Sequence, residues 1–217
     1  MLSLTIIFTL GFLAYVSAAH RETELSPIPL KLSERMSGLW ETAHTSMREN
    51  RLVRAEKALL TILNIDKKNA AAYNRLGILY AKQKEYKDAI DCFEIASSIE
   101  PSASSLHNLG LIYYETENWE KASTAFEQAI KLEDGLAARY IAFAKVQEKV
   151  GNHLQVIKSL EKAVELEATK ESLNLLYQAY INNGRDEDAK LIERRMGRVH
   201  HQTGVKSKVK RPKRVVA

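Results

Sequence analysis

The sequence of 217 residues is short of the residues that interrupt helices or staple small folds: nine glycines, four prolines, one cysteine, and aromatics at only 7%. Cys92, being alone, excludes an internal disulfide and any cysteine-based metal site, and its expected place is a small buried or half-buried position on a helix. Three of the prolines, Pro27, Pro29 and Pro212, stand outside the middle of the chain, so the long central stretch is open to helix. Catalytic signatures are missing as well. There is no Gly-rich phosphate loop, no Gly-x-Ser-x-Gly and no Cys-His pair at catalytic spacing. None of His20, His44, His107, His153, His200 or His201 has the i+4 partner or carboxylate set of a metal site. The expectation is a non-catalytic protein with no cofactor and no metal.

Acid is what the C-terminus lacks. Nine of the 32 Lys/Arg and none of the 27 Asp/Glu lie from Arg194 onward, so the preceding 193 residues carry a net charge of −4 within a total of +5. With 45% hydrophobic residues the body is rich enough in apolar groups to bury a core.

Four segments follow from the pattern. Residues 1–19 contain 18 uncharged residues, Leu2 to Ala19, about 27 Å as a helix, and read as a transmembrane anchor. The competing reading is a cleaved secretory signal ending at Ala18 or Ala19, although no Lys or Arg precedes the apolar run. Residues 20–33 hold two prolines in a mixed-charge context and read as a stiff linker. Helical periodicity starts near Ser33, a candidate N-cap, and runs over residues 34–199. Residues 200–217 have no apolar period and read as a disordered basic tail. Arg21, Lys31 and Arg35 follow the apolar run while no cation precedes it, which places the helical body on the cytoplasmic side if the anchor is retained.

The helical body repeats itself. Leu76-Gly77 recurs as Leu109-Gly110, and Ala89, Phe93 and Ala96 recur as Ala122, Phe126 and Ala129, each at an offset of 33. With Tyr73, Tyr80 and Pro101 in the first of these copies, and Leu106 and Tyr113 in the second, the pattern resembles the tetratricopeptide repeat; Asp134 stands where the second copy's proline would fall. A weaker copy has Tyr140, Phe143, Ala144, Leu160 and Ala163, with Gln147 in place of the aromatic and Gly151 at the turn. Another has Leu173, Leu176, Tyr177, Tyr180, Gly184 and Ala189, and an atypical first copy has Leu39 or Trp40, Ala43, Ala55, Leu59 and Ile62. The resemblance implies an all-α, right-handed superhelical solenoid of about five antiparallel helix pairs. In it small residues sit where helices cross closely and large ones fill the gaps beside them.

Function is then left to the first-helix positions that the resemblance turns to the concave side: Trp40, His44, Asn74, Arg75, Ile78, Lys82, His107, Asn108, Leu111, Tyr114, Ile141, Lys145, Asn174 and Gln178. Amides that can bond a peptide backbone alternate there with apolar groups and cations, a row suited to an extended segment of a partner protein. The Lys/Asn/Arg clamp with which some tetratricopeptide proteins hold acidic chaperone tails is not expected. Ile78 stands at its first amide, and Ala138 and Ala142 at its third-helix cations. In the tail, Lys206, Lys208, Lys210, Arg211, Lys213 and Arg214 are candidates for contact with anionic lipid, with nucleic acid as the alternative, although no aromatics are interleaved for base stacking. The composite expectation is a membrane-anchored interaction scaffold. The alternatives are a secreted or periplasmic assembly factor, or a nucleic-acid-associated protein working through the tail.

Overall fold

The computed structural model describes residues 30–205, with side chains from 31 to 197. The anchor segment 1–19, most of the 20–33 linker and the six tail cations lie outside the described residues. Among the described residues no helix is long and apolar enough to cross a membrane.

All regular structure there is α-helical, in ten helices: α1 Leu30–Arg48, α2 Leu52–Ile65, α3 Ala70–Gln83, α4 Tyr86–Ile99, α5 Ala103–Glu115, α6 Trp119–Leu132, α7 Ala137–Val150, α8 His153–Leu166, α9 Lys170–Asn182 and α10 Asp186–Val205. Two boundaries differ from the sequence reading. Helix α1 begins at Leu30, so Ser33 is inside it and is not its cap; Leu30, Lys31 and Leu32 are good helix formers that directly follow the last proline of the linker. Helix α10 continues past Val199 to Val205, because a helix outlasts its apolar period when no proline stops it, and the next proline is Pro212.

The described residues divide into two compact units, one ending at Ile62 and the other beginning at Leu63. In the first, Ala43, Ala55, Ala58, Leu59 and Ile62 are buried, and α1 is linked to α2 by a turn in which Asn50 takes a left-handed conformation at φ 59°. In the second, α3 to α10 form four antiparallel helix pairs.

Local chemistry explains where these helices begin. Asn69 accepts a hydrogen bond from the Ala72 amide at 3.0 Å to open α3, and Ser102 accepts one from the Ser105 amide to open α5. Thr169 and Ser172 cap each other's backbone at α9. The turns inside the pairs need a left-handed residue. Gly151 and Gly184 supply it at φ 79° and 68°, whereas Lys84 and Glu117 adopt it at 64° and 59°.

Packing follows the repeat register. A Cβ on Gly77 would lie 2.7 Å from the Phe93 ring, and one on Gly110 would lie 2.9 Å from the Phe126 ring. The Leu-Gly pair therefore exists to let the phenylalanine of the second helix lie flat against the first. Both rings are 1% exposed and join Leu109, Ile112, Tyr113, Phe143 and Val146 in one core. A second core gathers Ala144, Val156, Leu160, Leu173, Leu176 and Tyr180 under the last two pairs. Gln147, standing where earlier copies have tyrosine, is buried and donates from Nε2 to Ser123 Oγ at 2.7 Å, which satisfies its amide. Tyr113 and Tyr180 instead donate their hydroxyls to Glu94 and Glu161 on the preceding helix. Burial is the main cause that holds both phenols well above the usual range.

Candidate partner-binding groove

In the second unit the first helices of successive pairs, α3, α5, α7 and α9, are brought side by side, since α3 contacts α5, α5 contacts α7, and an ion pair joins α7 to α9. The predicted row of residues runs across them, and its members meet different fates.

The amides on α3 and α5 engage each other. Asn108 Nδ2 donates to Asn74 Oδ1 at 3.3 Å, leaving one side of each amide for a partner. Lys145 on α7 is likewise spoken for in part, with its Nζ 3.7 Å from Glu171 Oε1 on α9. Both members of that pair are well exposed, so the attraction is weak and easily exchanged.

Five of the predicted residues, His107, Leu111, Tyr114, Ile141 and Lys145, line one cleft of about 330 Å³ between α5 and α7. Lys145 and Gln178 also border a smaller cavity of about 110 Å³ beneath α9, with Glu148 and His153. Arg75 and Lys82 are exposed on α3 and outside both cavities, Ile78 packs against the core, and Asn174 is exposed on α9. Trp40 and His44 belong to the first unit, where Trp40 is half-buried and His44 exposed.

Five cleft residues were not anticipated as groove members: Glu115, Glu171, Ala138, Ala142 and the core ring of Phe126. Glu115 falls 33 residues after Lys82, so the repeat register itself would have pointed to it. Ala138 and Ala142, already noted for displacing clamp cations, form part of the cleft wall.

Two aromatic contacts shape the cleft. The His107 ring meets the Phe126 ring edge-on at 5.3 Å, and Tyr114 meets Trp119 edge-on at 5.1 Å. Lys149 caps the other side of Trp119 with its ammonium 5.9 Å from the ring centre. Burial, followed by the nearby positive charge of Arg139, pushes the His107 imidazole below its ordinary value and favours the neutral form. Its Nδ1 is sealed from solvent without a partner.

Arg139, which no repeat position singles out, is 3% exposed. It holds the turn between α6 and α7, where the second repeat lacks its proline, by donating to the Glu133 carbonyl at 2.9 Å and to its carboxylate at 2.6 Å. Cys92 is buried, and burial first, then Asp88 and Asp91, push its thiol up to about 11, so it stays protonated at neutral pH and is a poor nucleophile. Among the described residues no group of three or more potential metal ligands comes together.

These helices and their spacing define a helical-repeat solenoid of the tetratricopeptide type. Residues 68–132 match the tetratricopeptide repeat family, and the chain superposes on several solved solenoids at low identity. A crystal structure of MamA protein is 19% identical over 85% of this chain and all of its own, with a TM-score of 0.69. A MamA fragment from Desulfovibrio magneticus RS-1 is 14% identical over 77% of this chain and 96% of its own, with a TM-score of 0.69. YrrB, described as a TPR protein with an unusual peptide-binding site, is 19% identical over 83% of this chain and 89% of its own, with a TM-score of 0.63. No curated protein sequence is a significant match to the chain.

Proposed function

We propose that the chain is a non-catalytic interaction scaffold, held at a membrane by residues 1–19, that binds a protein or peptide partner along the first-helix face of its repeats. The observation that carries the reading is the α5–α7 cleft, where Leu111 leaves 40% of its surface exposed on a face built otherwise of half-satisfied amides and a loosely held cation. An apolar side chain left open beside spare hydrogen-bonding groups fits an extended partner better than it fits bulk water. Likeness of fold to a repeat protein described as having a peptide-binding site supports the reading without naming the partner.

The test is capture of partners from a membrane extract by the full chain and by a variant with Asn74, Asn108 and Lys145 all changed to Ala. The variant is expected to lose the partners that the parent chain retains; capture of the same set by both would remove the groove from consideration.

In this reading the repeats face the cytoplasm and the tail cations lie near an anionic leaflet, where each is worth about 1 kcal/mol. Protease applied to sealed vesicles, and vesicle binding by chains with and without residues 206–217, test these two points. A mature chain starting at Ala19 or His20 would favour the exported alternative, and a clear preference of the tail for nucleic acid over vesicles the other.

A further inference from the structure

The cleft between α5 and α7 carries more information than the existence of a groove. Its volume of about 330 Å³ is room for roughly ten waters. That is far more than a packing defect. Its walls are the apolar faces of Leu111, Tyr114, Ile141, Ala138 and Ala142. Water held against such walls is readily displaced by an apolar side chain.

The charges around it are not balanced. Lys145 already has Glu171 at 3.7 Å, and His107 is biased to neutrality by burial and Arg139. Glu115, exposed at the rim, has no ion-pair or hydrogen-bond partner among the described residues. In the adjoining 110 Å³ cavity, which shares Lys145, a further carboxylate stands at Glu148. Taken together, the linings of the two cavities contain three carboxylates and one ammonium, which one of the three already holds. An acidic segment would meet Glu115 with no free Lys or Arg in the lining of either cavity to receive it; a basic one would meet open carboxylates.

Resting on the reading above, we propose that this cleft is the anchor subsite for a partner segment that inserts one large apolar side chain between Leu111 and Ile141 and sets a lysine or arginine beside Glu115. Shape and charge divide the work. The pocket selects an apolar anchor, and the rim selects the sign of its neighbours.

The test uses the full chain with isotope-labelled methyl groups and three probe peptides on a Gly/Ser background: a phenylalanine flanked by two lysines, a phenylalanine flanked by two glutamates, and an alanine flanked by two lysines. The first is expected to move the methyl signals of Leu111 and Ile141 at concentrations where the other two do not. Glu115→Lys should weaken the first peptide by about three- to tenfold and strengthen the glutamate peptide, a reversal that loss of folding cannot mimic. Equal response to the lysine and glutamate peptides, or a response unchanged by Glu115→Lys, overturns the charge assignment. Equal response to the phenylalanine and alanine peptides overturns the anchor. If deletion of residues 206–217 alone moves the same methyl signals, the chain's own basic tail occupies the cleft and the partner assignment is overturned. Leu111→Glu separates this proposal from the broader one. Should it abolish capture of natural partners while the probe peptides show no preference, the groove stands and the chemistry assigned to its subsite falls.

Discussion

Helices α3 to α6 and helices α7 to α10 match in length and connection, except that α10 runs on to Val205, but they reach that match with different residues. In the first set, Gly77 and Gly110 lie beneath Phe93 and Phe126, and the turns are made by Lys84 and Glu117. In the second, Ala144 stands at the glycine position over Leu160, and glycine moves to the turns at 151 and 184. Each set thus places its smallest residue at a different point of constraint, one where a ring must fit and the other where the backbone must reverse. The first three pairs tolerate either solution because they keep the volume shared by two facing positions, together with one left-handed residue per turn, whereas the last pair has Tyr177 and Glu193 there. The 330 Å³ cleft falls between α5 of one set and α7 of the other.

The largest expected effect breaks the first set at its tightest contact. Gly110→Leu places side-chain atoms where even a Cβ lies 2.9 Å from Phe126, and should cost about 3 kcal/mol in a denaturant titration. Gly110→Ala should cost less, and combining it with Phe126→Leu should recover part of the loss by recreating the Ala144–Leu160 arrangement. Absence of any recovery would mean that the two sets do not exchange volume between those positions.

The second contrast lies in the turns. Gly151→Ala or Gly184→Ala forces a side chain into φ 79° or 68° and should cost about 1 kcal/mol each. Lys84→Gly in the first set should change stability by less than about 0.5 kcal/mol, since relief of strain at φ 64° is offset by a freer unfolded chain. Thermal melts of the three variants check this, and a Lys84→Gly effect as large as the others would deny that the sets differ in this way.

A third, smaller effect comes from His107. Its imidazole is held below the ordinary value of about 6.5 by burial and by Arg139, so the unfolded chain binds the proton more readily than the folded one. The stability this contributes is present above pH 6.5 and is lost as the pH falls through the lowered value. His107→Gln should remove that part of the pH dependence, while the exposed His153 replaced in the same way should leave it intact. The smallest structural effect is expected from Asn74, Asn108 and Lys145 changed to Ala, at less than about 0.5 kcal/mol each. A much larger drop would show that the Asn74–Asn108 hydrogen bond is part of the framework.

The framework residues were legible in the sequence because close packing leaves little choice. A glycine under a phenylalanine recurs at an offset of 33 in two copies, and Gly77, Phe93, Gly110 and Phe126 could be assigned from that recurrence. The groove was only half legible. The register located His107, Leu111, Tyr114, Ile141 and Lys145, but nothing local showed that Asn74 and Asn108 would bond to each other or that Lys145 would meet Glu171, since those contacts join neighbouring repeats. Arg139 was invisible for a related reason. Its role depends on a turn that has lost its proline, and no repeating position calls for an arginine there. The limits of α1 and α10 escaped because apolar periodicity marks the packed part of a helix, and α10 extends beyond that part.

The claim on which the rest depends is that partners enter the first-helix face. A photo-reactive amino acid placed at Leu111, and in a second chain at the exposed Thr124 on α6, tests it directly when the full chain is illuminated in the cells that express it. Cross-linked partner bands are expected from position 111, to be competed away by the lysine-flanked phenylalanine peptide, and none from position 124. Bands from position 124 with none from position 111 would contradict the claim.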